Sequence, residues 1–175
     1  MLKKADRLKD LTFSRIRMTS KKMDELEASG KDIVRFTYGE PNFDTPKYIV
    51  EAAKKALDEG HTKYTDYSGP LGFRKAVCAK YERENGLKFE PDQVISTHGG
   101  AQAAYLVLTT FLNPGDEVII PNPMYNIYKI IGKICGATVK EYKLKEENEF
   151  QIDLDEMKSL ITDKTKMIVI CSPSN

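Results

Sequence analysis

Residues 94 to 105 read Val-Ile-Ser-Thr-His-Gly-Gly-Ala-Gln-Ala-Ala-Tyr. A short β-branched run stops at Gly99-Gly100, and an Ala-rich helix starts there. Such a turn can cradle an anion. The first N–H groups of a helix have no internal partner, and the helix dipole puts partial positive charge at that end. Glycine lets the backbone come close to a bound group. The pattern points to the phosphate of a ligand or cofactor. A strand–Gly-Gly–helix turn is also a common plain connection, and this stretch alone leaves both readings open. His98 and His61 could be acid–base groups. A lone histidine beside a glycine turn is more often structural, so neither is given a role.

The elements around the cup follow from pattern and punctuation. Residues 1–12 are polar and read as a mobile arm. A helix is expected over 15–29, ending at Gly30, and a short strand over 33–37. Gly39-Glu-Pro-Asn-Phe-Asp-Thr-Pro46 is a loop of turn residues. Thr45 as N-cap and Pro46 as first helical residue then open a helix to about Glu59, stopped by Gly60. Residues 61–69 form a loop, and Pro70 opens a helix that ends near Gly86. A strand is expected over 93–97, then a helix from the cup to Leu112. Strands at 117–120, 137–142 and 166–171 alternate with helices at 124–134 and 153–162.

Val118-Ile-Ile120 and Met167-Ile-Val-Ile-Cys171 are continuous apolar runs, as expected for strands covered on both faces. The fold class is therefore α/β with a mostly parallel sheet flanked by helices. In such sheets ligands sit at the carboxyl ends of the strands. Gly99-Gly100, Pro121-Asn-Pro-Met-Tyr125 and Ser172-Pro-Ser-Asn175 each follow a strand. Asn122-Pro123 is a candidate cis bond.

Composition narrows the classes. The 175 residues can form one ordinary domain with a core. A net charge of +1 and the lack of a basic stripe argue against a nucleic-acid partner. Lys3-Lys4, Lys21-Lys22 and Glu146-Glu147 read as solvated. The three cysteines, Cys78, Cys135 and Cys171, form no C-x-x-C pair. Reduced thiols in a cytoplasmic protein are expected. The first residues lack the apolar region of a secretory signal, and no apolar run reaches bilayer length, so no membrane association is expected.

Five islands carry a resemblance. They are Gly39-Glu-Pro-Asn-Phe-Asp-Thr-Pro46, Thr62-Lys-Tyr-Thr-Asp-Tyr-Ser-Gly69, His98-Gly-Gly-Ala-Gln102, Pro121-Asn-Pro-Met-Tyr-Asn-Ile-Tyr128 and Ser172-Pro-Ser-Asn175. In this order and spacing the chain, from about residue 12 on, resembles the N-terminal portion of the class I/II aminotransferases. These are fold-type I enzymes dependent on pyridoxal 5'-phosphate (PLP), and the aspartate-aminotransferase-like branch is the nearest. The resemblance implies an N-terminal arm and small-domain segment over 1–45 and an incomplete large, cofactor-binding domain over 46–175. It implies that Gly99, Gly100 and Ala101 bind the cofactor phosphate. Relatives often carry Ser, Thr or Lys where Ala101 stands, so a side-chain contact is missing here.

The same resemblance has Tyr125 stack on the pyridine ring and Asn175 donate to the ring's phenolic oxygen. Gly39 lies near the substrate carboxylate, so Gly39, Tyr125 and Asn175 form the substrate side. Tyr64 reaches the phosphate of the neighbouring subunit, which implies a homodimer of the full-length protein. Plainer readings stand beside these: core packing or a cap contact for Tyr125, a turn residue for Asn175, a positive-φ turn for Gly39 and an ordinary aromatic for Tyr64. No metal site is expected.

The family's Schiff-base lysine sits in a Ser-x-x-Lys context, and no such tetrad occurs in these residues. No catalytic residue is therefore assigned, and the 175 residues alone are expected to be inactive and poorly stable. The implied reaction of the full-length relative moves an amino group between an L-amino acid and a 2-oxo acid. Alternatives are another PLP reaction on this scaffold, such as a cystathionine-type β-lyase, or a non-catalytic remnant or binding module. A nucleotide-binding α/β protein is weaker, because neither G-x-G-x-x-G nor G-x-x-x-x-G-K-[ST] is present.

Overall fold

A computed structural model describes residues 2–9, 11 and 15–175. The chain divides into two compact units, Thr12–Ile95 and Met1–Leu11 with Ser96–Asn175.

In the unit Thr12–Ile95, α1 spans Arg15–Ala28, α2 Lys47–Asp58 and α3 Leu71–Asn85. The expected strand at 33–37 does not form. Arg35 is fastened to α1 instead. Its Nη2 donates to Asp24 Oδ1 and Glu27 Oε2, each at 2.6 Å, and its Nε donates to Glu27 Oε1 at 2.8 Å. These bonds hold the Glu27 carboxyl below its ordinary range. Val34 and Phe36 stay exposed, so no partner strand rewards their β-propensity.

The expected cap of α2 also shifts. Pro46 is itself the N-cap, in an extended conformation, and no side chain caps the helix. The expected strand at 93–97 is absent too. Pro91–Gln93 closes a 3-10 turn, with the Glu90 N–H donating to Gln93 Oε1 at 2.9 Å. Val94 beyond it is extended, and Ile95 is exposed.

In the other unit, α4 spans Gly100–Phe111, β1 Glu117–Asn122, α5 Ile127–Ile134, β2 Thr138–Lys143, α6 Leu154–Ser159 and β3 Thr165–Ile168. The last helix and strand are shorter than their patterns predict. The residues read as an arm include a 3-10 turn at Asp6–Leu8, beside α5. The three strands form one parallel sheet in the order β2-β1-β3. Glu117 to Asn122 pair in unbroken register with Thr138 to Lys143. The β1–β3 pairing carries an irregularity between Glu117 and Val118.

β1 is buried on both faces, which explains its continuous apolar run. Val118 and Ile120 pack with Ala104, Leu108 and Leu112 of the α4 segment and with Ile131 of α5. Ile119 faces the other way, against Tyr142, Leu144 and Met157. α5 lies close on the sheet at Gly132. A Cβ there would stand 2.9 Å from Val139 Cγ2 and 3.2 Å from Val118 Cγ1.

At the amino end of the sheet, Glu117 Oε2 accepts from Thr162 Oγ1 at 2.6 Å and pairs with Lys140 Nζ at 2.7 Å. At the amino end of α6, Asp153 Oδ1 accepts from the Asp155 and Glu156 N–H groups, both at 3.0 Å.

Candidate functional site

Chain direction places the cup. α4 packs on β1, and only residues 112–116 join them. The two elements therefore run antiparallel. Twelve helical residues rise about 18 Å, and the six of β1 about 20 Å. The start of α4 thus comes to the carboxyl end of the sheet, where parallel sheets bind ligands. Consistent with this, Gly100 shares an apolar groove of about 700 Å³ with Ile170, which lies just past β3.

Gly99 caps α4 with φ 81° and ψ 169°, a backbone conformation that L side chains rarely adopt. Its N–H donates to Thr97 O at 2.9 Å, and Thr97 Oγ1 donates to Gly99 O at 3.1 Å. The His98 N–H donates to Gln102 Oε1 at 2.6 Å, and His98 Nδ1 lies 3.0 Å from the same oxygen. The first intrahelical bond runs from the Ala103 N–H to Gly99 O. The N–H groups of Gly100 and Ala101 thus have no intrahelical acceptor. A Cβ at Gly99 or Gly100 would meet nothing within 4 Å, so the cup is open. This donor set fits a phosphate.

Tyr125 lies between β1 and α5 and is 46% exposed. Its ring stands outside the buried core of this unit. The Asn122–Pro123 bond that leads to it is cis, and so is Ser172–Pro173 before Asn175. The loop is tied down on either side of Tyr125. Asn122 Nδ2 donates to Glu141 Oε2 at 2.5 Å, and Lys129 Nζ pairs with Glu141 Oε1. Asn175 is exposed beyond β3. Cup, Tyr125 and Asn175 therefore share one unit and follow or face the carboxyl ends of its strands.

Gly39 and Tyr64 belong to the other unit. Gly39 lies in an exposed loop and lacks the positive φ of the plain turn reading. Tyr64 is fully exposed in the loop 61–69. That loop is shaped by Asp66, whose Oδ1 accepts from the Ser68 N–H at 2.7 Å. Arg74 pins its end. The half-buried guanidinium donates from Nε to Gly69 O at 3.0 Å and from Nη1 to Pro91 O at 2.9 Å.

Sequence reasoning missed Gln102, Arg74 and Glu141. Gln102 carried a readable signal: it stands three residues after the glycine cap, where Gln often reaches back toward free N–H groups. Arg74 and Glu141 carried none, since each looks like an ordinary charged residue of a helix or strand. Among the described residues there is no cluster of three metal-ligating side chains and no helix long and apolar enough to cross a membrane.

Comparison with known proteins identifies the family. The profile of the family described as "Aminotransferase class I and II" matches residues 31–175. An aspartate/prephenate aminotransferase of Cereibacter sphaeroides is 44% identical over 151 residues, covering 86% of this chain and 38% of that protein. An aspartate aminotransferase of Geobacillus stearothermophilus is 39% identical over 174 residues, covering 99% of this chain and 44% of that protein. The crystal structure of an aspartate aminotransferase from Rhizobium meliloti superposes with a TM-score of 0.95 at 32% identity, covering 100% of this chain and 44% of that one. The chain spans less than half the length of these relatives. By profile, sequence and fold, it belongs to the class I and II aminotransferases.

Proposed function

We propose that this chain forms part of the PLP site of an aminotransferase that moves an amino group between an L-amino acid and a 2-oxo acid. The observation that carries the reading is the open glycine cup, with free N–H donors, at the carboxyl end of a parallel sheet whose loops also bear Tyr125 and Asn175. In the whole protein, Gly99, Gly100 and Ala101 hold the phosphate through their backbone. Tyr125 presents an apolar, polarisable face to the ring. Asn175 donates to the phenolic oxygen and so fixes the ring's orientation. Gly39 lies at the substrate carboxylate. Tyr64 serves the phosphate of the neighbouring subunit in a cytoplasmic homodimer. When bound, the cofactor supplies the electron sink that makes the amino acid's Cα proton removable. No proton transfer is assigned to a residue of this chain.

The relatives' names make aspartate the donor to test first, with 2-oxoglutarate as acceptor. The direct test of the site is binding. PLP, pyridoxal and inorganic phosphate are titrated against the protein and against Gly99→Val. The phosphate-bearing ligands should bind, and Gly99→Val should weaken both. Equal binding of pyridoxal and PLP, or indifference to Gly99→Val, would sink the phosphate-cup reading.

A further inference from the structure

Glu141 is a strand residue at the edge of the described sheet, yet both of its carboxylate oxygens are engaged. Oε2 accepts from Asn122 Nδ2 at 2.5 Å, and Oε1 accepts from Lys129 Nζ. Asn122 is the last residue of β1, and Lys129 lies in the first turn of α5. One carboxylate therefore grips both flanks of the loop 123–126. A backbone bond from the Leu144 N–H to Asn122 O, 2.9 Å long, adds to the grip on the β1 side. The Glu141 side chain is only 23% exposed, so solvent weakens its bonds less than those of a fully exposed pair. A half-open cleft of about 170 Å³ is lined by Met124, Asn126, Lys129 and Glu141, so the loop is not closely packed against the tether on every side. Met124 of the loop packs against the core, so the polar tethers act together with that contact in setting where the loop sits.

We infer that Glu141 is a positioning residue for Tyr125. It fixes the loop so that the ring is held ready before any ligand arrives, the preorganisation a stacking platform needs. The role of the ring rests on the proposed cofactor site; the tether does not.

The chain has no tryptophan, so Tyr125→Trp installs a single tryptophan, excited apart from the tyrosines, as a reporter in the full 175-residue chain. Glu141→Gln is then added. A glutamine loses the negative charge that holds the Lys129 ammonium, and its N–H2 group cannot pair with that ammonium, so the α5 flank is weakened. Without any ligand, the reporter's anisotropy should fall, and its quenching by acrylamide should rise roughly twofold, as expected for local loop opening. Far-ultraviolet circular dichroism should be unchanged. Asn122→Ala releases the β1 flank alone and should give a similar change. Combining it with Glu141→Gln should add less than the sum of the two. Thr162→Val, at the opposite end of the sheet, controls for general loosening.

An unchanged reporter in Glu141→Gln overturns the proposal. So does an equal change in Thr162→Val. Should Glu141→Gln fail to fold, Asn122→Ala decides the matter by the same reading. PLP is added last. A reporter that responds to Glu141→Gln but is not quenched by PLP leaves the tether standing and removes the cofactor reading. Quenching by PLP with no response to Glu141→Gln does the reverse.

Discussion

Gly99 and Ala101 make opposite demands on a side chain. At Gly99 the backbone forbids one, because φ is 81°. Gly99→Ala should destabilise the fold by about 1 kcal/mol and weaken phosphate binding together with it, as denaturation and titration of one preparation would show. At Ala101, on the proposed phosphate site, a side chain would help. Ala101→Ser puts a hydroxyl beside the free N–H groups, and a single added hydrogen bond should tighten PLP binding by roughly twofold to tenfold. Unchanged affinity would mean that the phosphate sits elsewhere.

Glu117 supplies a pH test. Hydrogen bonding from the Lys140 ammonium, then from Thr162, holds its carboxyl below the ordinary carboxylate range. A depressed folded value means that the group stabilises the fold above that range. The contribution fades as pH falls through the folded value. Glu117→Gln should therefore be less stable than the parent at pH 7, and the gap should close in acid. Urea melts of both proteins across that range check it.

At this scale the sequence was legible where backbone chemistry leaves a spelling, as at Gly99-Gly100 and Asn122-Pro123. Glu141 and Arg74 were not, because a long charged side chain gives no sign of its partner. The partner of Glu141 on β1 lies 19 residues away, and that of Arg74 at Pro91 lies 17 away.

Among the elements, α5 depends most on a single position. Gly132 lets it lie against Val139 and Val118. Gly132→Ala should cost about 1–3 kcal/mol through overpacking. Val139→Ala placed beside it should recover part of that loss, since Val139 Cγ2 is the nearest obstruction. Additive losses in the double variant would count against this account. Most helices were read from their stops and periodicity, the last one too long, and β1 from its apolar run. The failed strands at 33–37 and 93–97 share one cause. A β-branched run becomes a strand only beside another strand. Arg35 is bound to α1 instead, and Val94 follows a 3-10 turn closed by Gln93. Neither local sequence encodes whether a neighbour exists.

Across the molecule, much apolar surface is open. In the sheet-bearing unit, Val107 and Phe111 of α4 and Ile170 beyond β3 are exposed along one groove. A contiguous patch of this kind favours association. The 175-residue chain should therefore bind a hydrophobic dye and grow in apparent mass with concentration. Val107→Lys should reduce both effects, as gel filtration and dye fluorescence would show. A dye-silent monomer at all concentrations would contradict this.

The strand order has a consequence for synthesis. β1 lies in the middle, yet it precedes both of its neighbours in the chain. A chain leaving the ribosome therefore presents β1 with neither edge paired until residue 143 has emerged, and with one edge bare until residue 168. At ordinary translation speeds the second interval of 25 residues lasts about one to five seconds. For that time the most apolar strand of the sheet is open to nascent chains on neighbouring ribosomes, and its protection depends on α4, which has already been made.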